Sequence, residues 1–243
     1  MTRRRGEYGF DSPHVPFGLA AAAAVAFGLA GALFASSFPR TASLTLIAAV
    51  VFAASALSFV WTTRRGKFIV WSELLDALAL RGDEQLLDVG CGRGAVLMLA
   101  AERLPHGRAV GLDLWSTADQ SGNSEQATWR NADLEGVRAR VELHTGDMRR
   151  LPFPDATFDV VTSSLAIHNI RNAQGREQAL SEMLRVVRTG GIVMIADIRH
   201  AGEYQRYLAA RPGASVQRRR LGWRFWYGGP QAATTLVAVR RPG

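Results

Sequence analysis

Cysteine is almost missing from this chain: Cys91 is the single one in 243 residues. That excludes a disulfide framework, and no Cys/His spacing of the zinc type is present, so no metal site is expected. Charge is missing in a second, more telling way. Val15–Pro39 contains no charged residue and neither does Thr41–Thr63, with Arg40 alone between them. Internal repeats are absent, and low complexity is confined to the alanine run of the first stretch.

Each uncharged run is long enough to cross roughly 30 Å of hydrocarbon as a helix, and the turn-like Phe38-Pro39-Arg40-Thr41 joins them. The pattern predicts an N-terminal cytoplasmic tail over 1–14, a two-helix transmembrane hairpin over 15–63 and a catalytic domain over 64–243. Ala24, Gly28 and Ala32 form a small-xxx-small row that would let the helices approach closely. Arg3, Arg4 and Arg5 precede the first run and Arg64, Arg65 and Lys67 follow the second. By the positive-inside rule both ends, and the domain, face the cytoplasm from the cell (inner) membrane. Two other readings stand beside this one: a cleaved signal peptide ending near Ala32, which leaves the second run unexplained, or a buried helical pair in a soluble protein.

The formal net charge of +8 calls for an anionic partner, nucleic acid or lipid headgroups. Basic residues gather at Arg64–Lys67, beside the predicted membrane exit, and at Arg218, Arg219, Arg220 and Arg224. With two spans nearby, anionic lipid headgroups are the simpler partner and no nucleic acid is expected. A solvated charged face is the plain alternative for the second group.

What is present in concentration is glycine, in Leu86-Leu87-Asp88-Val89-Gly90-Cys91-Gly92-Arg93-Gly94. An apolar run ending in a glycine-rich turn before a helix lets a ligand lie against bare main chain at a helix start. Gly90, Gly92 and Ala95 satisfy the dinucleotide spacing G-x-G-x-x-G/A. Asp88 and Gly94 point instead to a cofactor with a cationic amino-acid tail, because a carboxylate here would repel a pyrophosphate. Cys91 reads as a small packing residue of the turn rather than a nucleophile. Downstream, strands and helices alternate as in a parallel sheet covered on both faces. Strands are predicted at Gln85–Val89, Ala109–Asp113, Val141–Thr145, Phe158–Ser163 and Gly191–Asp197, and helices at Lys67–Leu80, Ala95–Arg103, Gln126–Glu135, Arg176–Val187 and Glu203–Ala210. Two further strands, Ser215–Tyr227 and Thr234–Arg240, are joined by a Gly-Gly-Pro turn. Asp113, followed by Leu114, lies about twenty residues past the turn, the place for a carboxylate that binds ribose hydroxyls.

The string D-x-G-x-G-x-G from Asp88 to Gly94 resembles motif I of the class I methyltransferases, and later segments agree in order. Leu151-Pro152-Phe153-Pro154-Asp155-Ala156-Thr157-Phe158-Asp159 resembles the family's L-P-F-x-D-x-x-F-D, and Arg188-Thr189-Gly190-Gly191 its turn before the fifth strand, with Thr189 where proline is usual. The branch most resembled is that of the ubiquinone and menaquinone methyltransferases, over roughly Phe68 to Asp197. The resemblance implies an α/β, Rossmann-like seven-stranded sheet, mostly parallel with a C-terminal antiparallel hairpin, here preceded by two transmembrane helices. It implies S-adenosyl-L-methionine as cofactor, held by Asp88, Gly90, Cys91, Gly92, Gly94, Asp113, Leu114, Gly146, Asp147, Met148 and Ser164. In the family the acid at Asp147 meets the adenine amino group and the residue at Met148 packs on the ring.

Ser163–Ile170 leaves the fourth strand where the transferred methyl would lie, and it lacks the Asn/Asp-Pro-Pro-aromatic box of base methyltransferases. His168 is the candidate base, with Asn169 beside it; equally, the two could hold the loop by hydrogen bonds. Trp115 could line the pocket or cover the sheet edge, Asp119–Ser124 reads as a lid, and Trp223–Tyr227 as an aromatic contact for an apolar substrate, the membrane interface or the core. The expected activity is methyl transfer to a small, lipophilic acceptor such as a quinone, isoprenoid or lipid. A nucleic-acid methyltransferase and an NAD-dependent oxidoreductase are the alternatives.

Overall fold

The computed structural model describes residues 4–117 and 120–241. Arg3 of the basic N-terminal group and Asp119 of the predicted lid lie outside the described residues. Two long helices come first, α1 (His14–Ala35) and α2 (Pro39–Trp61). Pro39 opens α2 at a position where its missing N–H costs nothing, so the connection is Ser36–Phe38 and Arg40 belongs to the helix. Both helices are long and apolar enough to cross a membrane, yet only 17% and 11% of their most apolar windows are buried. Phe17, Leu44 and Leu57 are each at least 70% exposed. Within the chain itself the two helices are therefore not a buried pair.

The seam between α1 and α2 differs from the predicted one. Ala24, Gly28 and Ala32 are exposed, and nothing lies within 4 Å of a Cβ added at Gly28. Ala23 and Ala30 of α1 instead face Ala42 and Ala49 of α2, all buried. A row of every fourth residue winds off a contact line by about 40° at each step, whereas a seven-residue spacing drifts only about 20°. Small side chains at heptad spacing therefore make the close seam.

Helix α2 continues into α3 (Lys67–Asp76) through a single π-turn, Thr62–Gly66. Gly66 is required there, because a Cβ would come within 1.9 Å of the Arg224 carbonyl oxygen. The domain that follows alternates β1 (Gln85–Val89), α4 (Ala95–Glu102), β2 (Arg108–Asp113), α5 (Glu125–Leu134), β3 (Val141–Thr145), β4 (Phe158–Ser164), α6 (Ala173–Val186) and β5 (Val187–Asp197). It closes with α7 (Ala201–Ala209), β6 (Ser215–Arg220) and β7 (Thr235–Arg240). The sheet order is β3-β2-β1-β4-β5-β7-β6, with β7 and β6 antiparallel. Alternation along β1 sends Leu86 to the layer of α3, α4 and α5, and Leu87 and Val89 to that of α6 and α7.

Three predicted boundaries move for local reasons. Helix α6 starts three residues early because the Asn172 side chain caps it, accepting from the Gly175 amide. Strand β5 starts at Val187, and its pairing with β4 skips from Val187 to Ile192. The predicted strand Ser215–Tyr227 stops at Arg220, and Gly222 (φ +77°) turns the chain out of the sheet. The aromatic run then clasps the helix junction: Trp223 stacks on Trp61, Tyr227 meets Phe59 edge-on, and the Thr62 hydroxyl donates to the Trp226 carbonyl at 2.7 Å. Arg224 grips Glu73 of α3 with both terminal nitrogens. The arginines at 218–220 lie exposed on the edge strand β6, where charge discourages pairing with another sheet.

The predicted tail is no free tail over its described part. The Glu7 amide donates to Asn131 Oδ1 and Asn131 Nδ2 returns a bond to the Glu7 carbonyl, at 2.8 and 3.0 Å. Tyr8 packs edge-on against Phe68. The Asp11 carboxylate accepts from Lys67 Nζ (3.0 Å), the Tyr227 hydroxyl (2.9 Å) and Gln120 Nε2 (3.0 Å). Asp11→Ala would leave Lys67, 5% exposed, a buried charge without its partner. We expect a loss of about 3–5 kcal/mol, read by denaturation of the detergent-solubilised protein; an unchanged midpoint would show that the clasp holds nothing together.

Candidate active site

The glycine turn sits where the order of the parallel strands reverses, outside the carboxyl ends of β1 and β4. Gly90, Gly92 and Gly94 all have positive φ, which side-chain-bearing residues rarely adopt. Gly90 is also a gap between neighbours: a Cβ there would lie 2.3 Å from the Ala166 Cβ and 3.3 Å from the Met148 methyl. The turn's outward carbonyls are held by α5, whose Thr128 hydroxyl donates to Gly92 O and whose Asn131 amide donates to Arg93 O, each at 2.8 Å. Gln120 Oε1 accepts from the Arg93 amide at 2.9 Å. Cys91 is buried and its thiol is pushed well above its usual range by burial, which suits packing and not nucleophilic attack.

Two carboxylates bracket the turn. Asp113 ends β2 and faces it: Gly92 N donates to Oδ2 at 2.8 Å, and Trp115 N and Asn123 Nδ2 donate to Oδ1 at 2.6 and 3.1 Å. Asp88 lies beneath it, 1% exposed, accepting from the Thr162 hydroxyl at 2.9 Å. Burial, with the negative charge of Asp113 added, pushes the Asp88 carboxyl up to about 7. Leu114 is exposed beside Asp113. Trp115, with φ +60°, donates its indole N–H to Thr145 at the end of β3, so it covers the sheet edge.

The third strand's loop carries Gly146, whose amide donates to the Asp113 carbonyl at 3.1 Å. Asp147 is turned toward Arg149, whose guanidinium lowers its carboxyl below the usual range. Met148 is partly buried against the layer of α6 and α7. At the end of β4, Ser164 accepts a 2.9 Å bond from the Trp71 indole of α3. Leu165 then takes a positive φ, a conformation costly for a branched side chain. That kink brings Ala166 onto the glycine turn and leads to a short 3-10 turn, Ile167–Asn169. His168 Nδ1 lies 2.6 Å from Asp197 Oδ1 without the alignment of a hydrogen bond, and the His168 amide donates to Oδ2 at 3.2 Å. Asp197 is 1% exposed and also accepts from the Tyr204 hydroxyl at 3.2 Å. The Asn169 side chain is exposed.

Residues 87–195 match the protein family described as a methyltransferase domain. Over 129 residues the chain is 35% identical to the ubiquinone/menaquinone biosynthesis C-methyltransferase of Roseobacter denitrificans, 53% of this chain and 48% of that one. The chain thus spans about half the length of the curated relatives it matches. Residues 87–195 are a class I methyltransferase domain. Solved structures agree on the fold: a TehB-like S-adenosylmethionine-dependent methyltransferase of Corynebacterium glutamicum superposes with a TM-score of 0.53 at 21% identity, covering 72% of this chain and 88% of that one. The [4+2]-cyclase SpnF superposes with 0.56 at 20%, covering 70% and 81%.

S-adenosylmethionine fits the methyltransferase domain as it stands. Burial, with the negative charge of Asp113 beside it, opposes ionisation of Asp88, so a cationic cofactor relieves the site and a pyrophosphate would burden it. The Asp113 oxygens turned to the glycine turn suit the diol of a nucleoside. Within the domain, sequence reading had missed Trp71, Thr128, Asn131, Asp197 and Tyr204. Thr128 and Asn131 carry no motif, since their partners are backbone atoms of a distant turn.

Two measurements test this site. Gly90→Ala should abolish the thermal stabilisation given by S-adenosylhomocysteine, which for the native protein should reach about 2.7 kcal/mol at a hundredfold excess over Kd. Retained stabilisation would place the cofactor elsewhere. The Asp88 carboxyl holds a proton in the folded state at pH values where the unfolded chain, near 3.8, has lost it. The Asp88 contribution to stability is therefore fully present at low pH and is lost as pH rises from about 4 to about 7, by up to about 4 kcal/mol. Asp88→Asn should flatten that slope in a pH series of cofactor-free melts; an unchanged slope would assign it to other groups.

Proposed function

We propose that the protein is an S-adenosylmethionine-dependent methyltransferase anchored by the α1–α2 hairpin, with its domain on the cytoplasmic face of the cell membrane. Its acceptor is a small lipophilic molecule of the quinone class. The observation that carries this reading is the unbroken path from hairpin to site. Helix α2 runs through one π-turn into α3, and the Trp71 indole of α3 donates to Ser164 at the end of β4. At 1.5 Å per residue Trp71 stands about 15 Å along the axis from Trp61, the last residue of the apolar helix. An acceptor that partitions into lipid would then have a short way to travel. The curated relative from Roseobacter acts, by its name, on a carbon in ubiquinone and menaquinone biosynthesis, which supports the same acceptor class.

When bound, S-adenosylmethionine supplies an activated methyl group on a sulfonium sulfur. The chain's own part is to align the acceptor, exclude water and take up the acceptor's proton. His168 is the proton acceptor in this reading: with Nδ1 turned to Asp197, Nε2 is the nitrogen left for the acceptor's hydroxyl. Asp197, held by Tyr204 and the Ile198 amide, is the positioning residue. Asn169, exposed beside His168, is available to an acceptor carbonyl.

The test is mass spectrometry of lipid extracts after incubation of the membrane-reconstituted protein with labelled cofactor, seeking a labelled product heavier by one CH₂. His168→Ala should lower turnover by about 10²–10⁴-fold while leaving the thermal shift with S-adenosylhomocysteine unchanged. Asp197→Asn should lower it less and displace the pH profile. Labelling of water-soluble metabolites alone would sink the lipophilic acceptor, and full turnover in His168→Ala would remove the base.

A further inference from the structure

A second cavity of about 720 Å³ lies between the N-terminal segment and the α2–α3 junction. Its charged lining is Arg4, Arg5, Arg64, Arg65 and Arg93 against a single acid, Glu7. Arg4 is already paired with Glu102 and Glu135. Arg5, Arg64, Arg65 and Arg93 form no ion pair among the described residues, so the cleft carries an excess of uncompensated cations. Guanidinium groups gathered at one cleft without acids to match them give it a positive potential that attracts an anion.

Three buried polar atoms of this lining have no hydrogen-bond partner: Thr63 Oγ1, Arg4 Nε and Arg93 Nε. Thr63 is 1% exposed. Buried donors are rarely left unpaired, and all three belong to residues that line this one cavity. The guanidinium carbon of Arg64 also lies 4.8 Å from the centre of the Phe10 ring, a cation–π contact that holds it at the cleft. Planar N–H forks with a hydroxyl beside them match the tetrahedral oxygens of phosphate better than a carboxylate's two.

We propose that this cleft is a phosphate-binding site, adjoining the cofactor turn through Arg93 and otherwise built from the N-terminal segment and the α2–α3 junction. Its mouth is framed by Arg64 and Arg65, two turns or less past the end of the apolar helix α2. On the reading of that helix as a membrane span, the phosphate is the headgroup of an anionic lipid; without it, the same chemistry takes a phosphate-bearing soluble ligand.

The experiment uses the full chain in nonionic detergent. Native mass spectrometry scores retention of dioleoylphosphatidylglycerol against dioleoylphosphatidylcholine, and thermal melts compare inorganic phosphate with chloride at equal ionic strength. Arg64→Gln/Arg65→Gln is set beside Arg218→Gln/Arg219→Gln, which removes the same charge at the β6 edge. We expect preferential retention of phosphatidylglycerol, lost by tenfold or more in the first variant and kept in the second. Stabilisation by inorganic phosphate without lipid retention would support the site and assign it a soluble ligand. No response to either probe would overturn it, as would equal losses in both variants. A loss of S-adenosylhomocysteine affinity in Arg64→Gln/Arg65→Gln would also overturn it, by making the cleft part of the cofactor site. Membrane insertion is scored separately, by flotation with phosphatidylcholine vesicles, and its failure leaves the inorganic-phosphate arm intact.

Discussion

The Asp11 carboxylate is the point at which four separate stretches of chain meet. It holds Lys67 at the start of α3, Tyr227 of the C-terminal linker and Gln120 of the loop after β2, while belonging itself to the segment ahead of α1. Lys67 is the only lysine in the chain and is buried, so its charge is tolerable only beside this acid. Through Gln120 the clasp reaches the Arg93 amide in the glycine turn. Placement of the cofactor turn thus depends on the same carboxylate that fastens the hairpin to the domain.

Within the site the constraint is charge. Two acids sit above and below one turn, and the burial of Asp88 keeps its carboxyl near neutrality rather than fully ionised. A cation bound over the turn would favour ionisation of Asp88. Electrostatic preference for a sulfonium cofactor is therefore stored in the resting protein as a raised carboxyl, with hydrogen bonds from Gly92 and Thr162 fixing the two groups in place. The [4+2]-cyclase among the fold's neighbours is a reminder that such a frame does not choose the reaction. In the proposed reading that choice lies with Ser164 to Asn169 and the Asp197 behind them.

Legibility in the sequence followed the range of the interactions. The turn from Asp88 to Gly94, Asp113 and the parallel strands are local patterns, read from neighbours in the chain, and they lie where expected. The hairpin was legible from its missing charge, but its seam was not, because both Ala23 and Ala24 are small and only the partner helix selects between them. The role of Asn131 could not be read at all: it bonds Glu7 on one side and Arg93 on the other, 124 and 38 residues away. Trp223–Tyr227 looked like a strand by alternation; the glycine at 222 and the Arg224 carbonyl's need for Gly66 sent it to the helix junction instead.

That junction explains why a hairpin and a soluble fold make one rigid object. A helix leaving a bilayer normally enters its domain through a loop, which lets the two tilt independently. Here the helix does not end: the π-turn at Thr62–Gly66 absorbs one residue's change of phase and passes the helix on to α3. The C-terminal linker fastens the junction on both sides, its Trp226 carbonyl accepting from the Thr62 hydroxyl of the π-turn and its Arg224 fork holding Glu73 of α3. With the aromatic run packed on Phe59 and Trp61, bending at the junction would break stacked rings and an ion pair together. The orientation of Trp71, and with it Ser164 at the acceptor end of β4, is therefore set by the axis of α2. In the proposed membrane setting the bilayer normal itself would aim the active site.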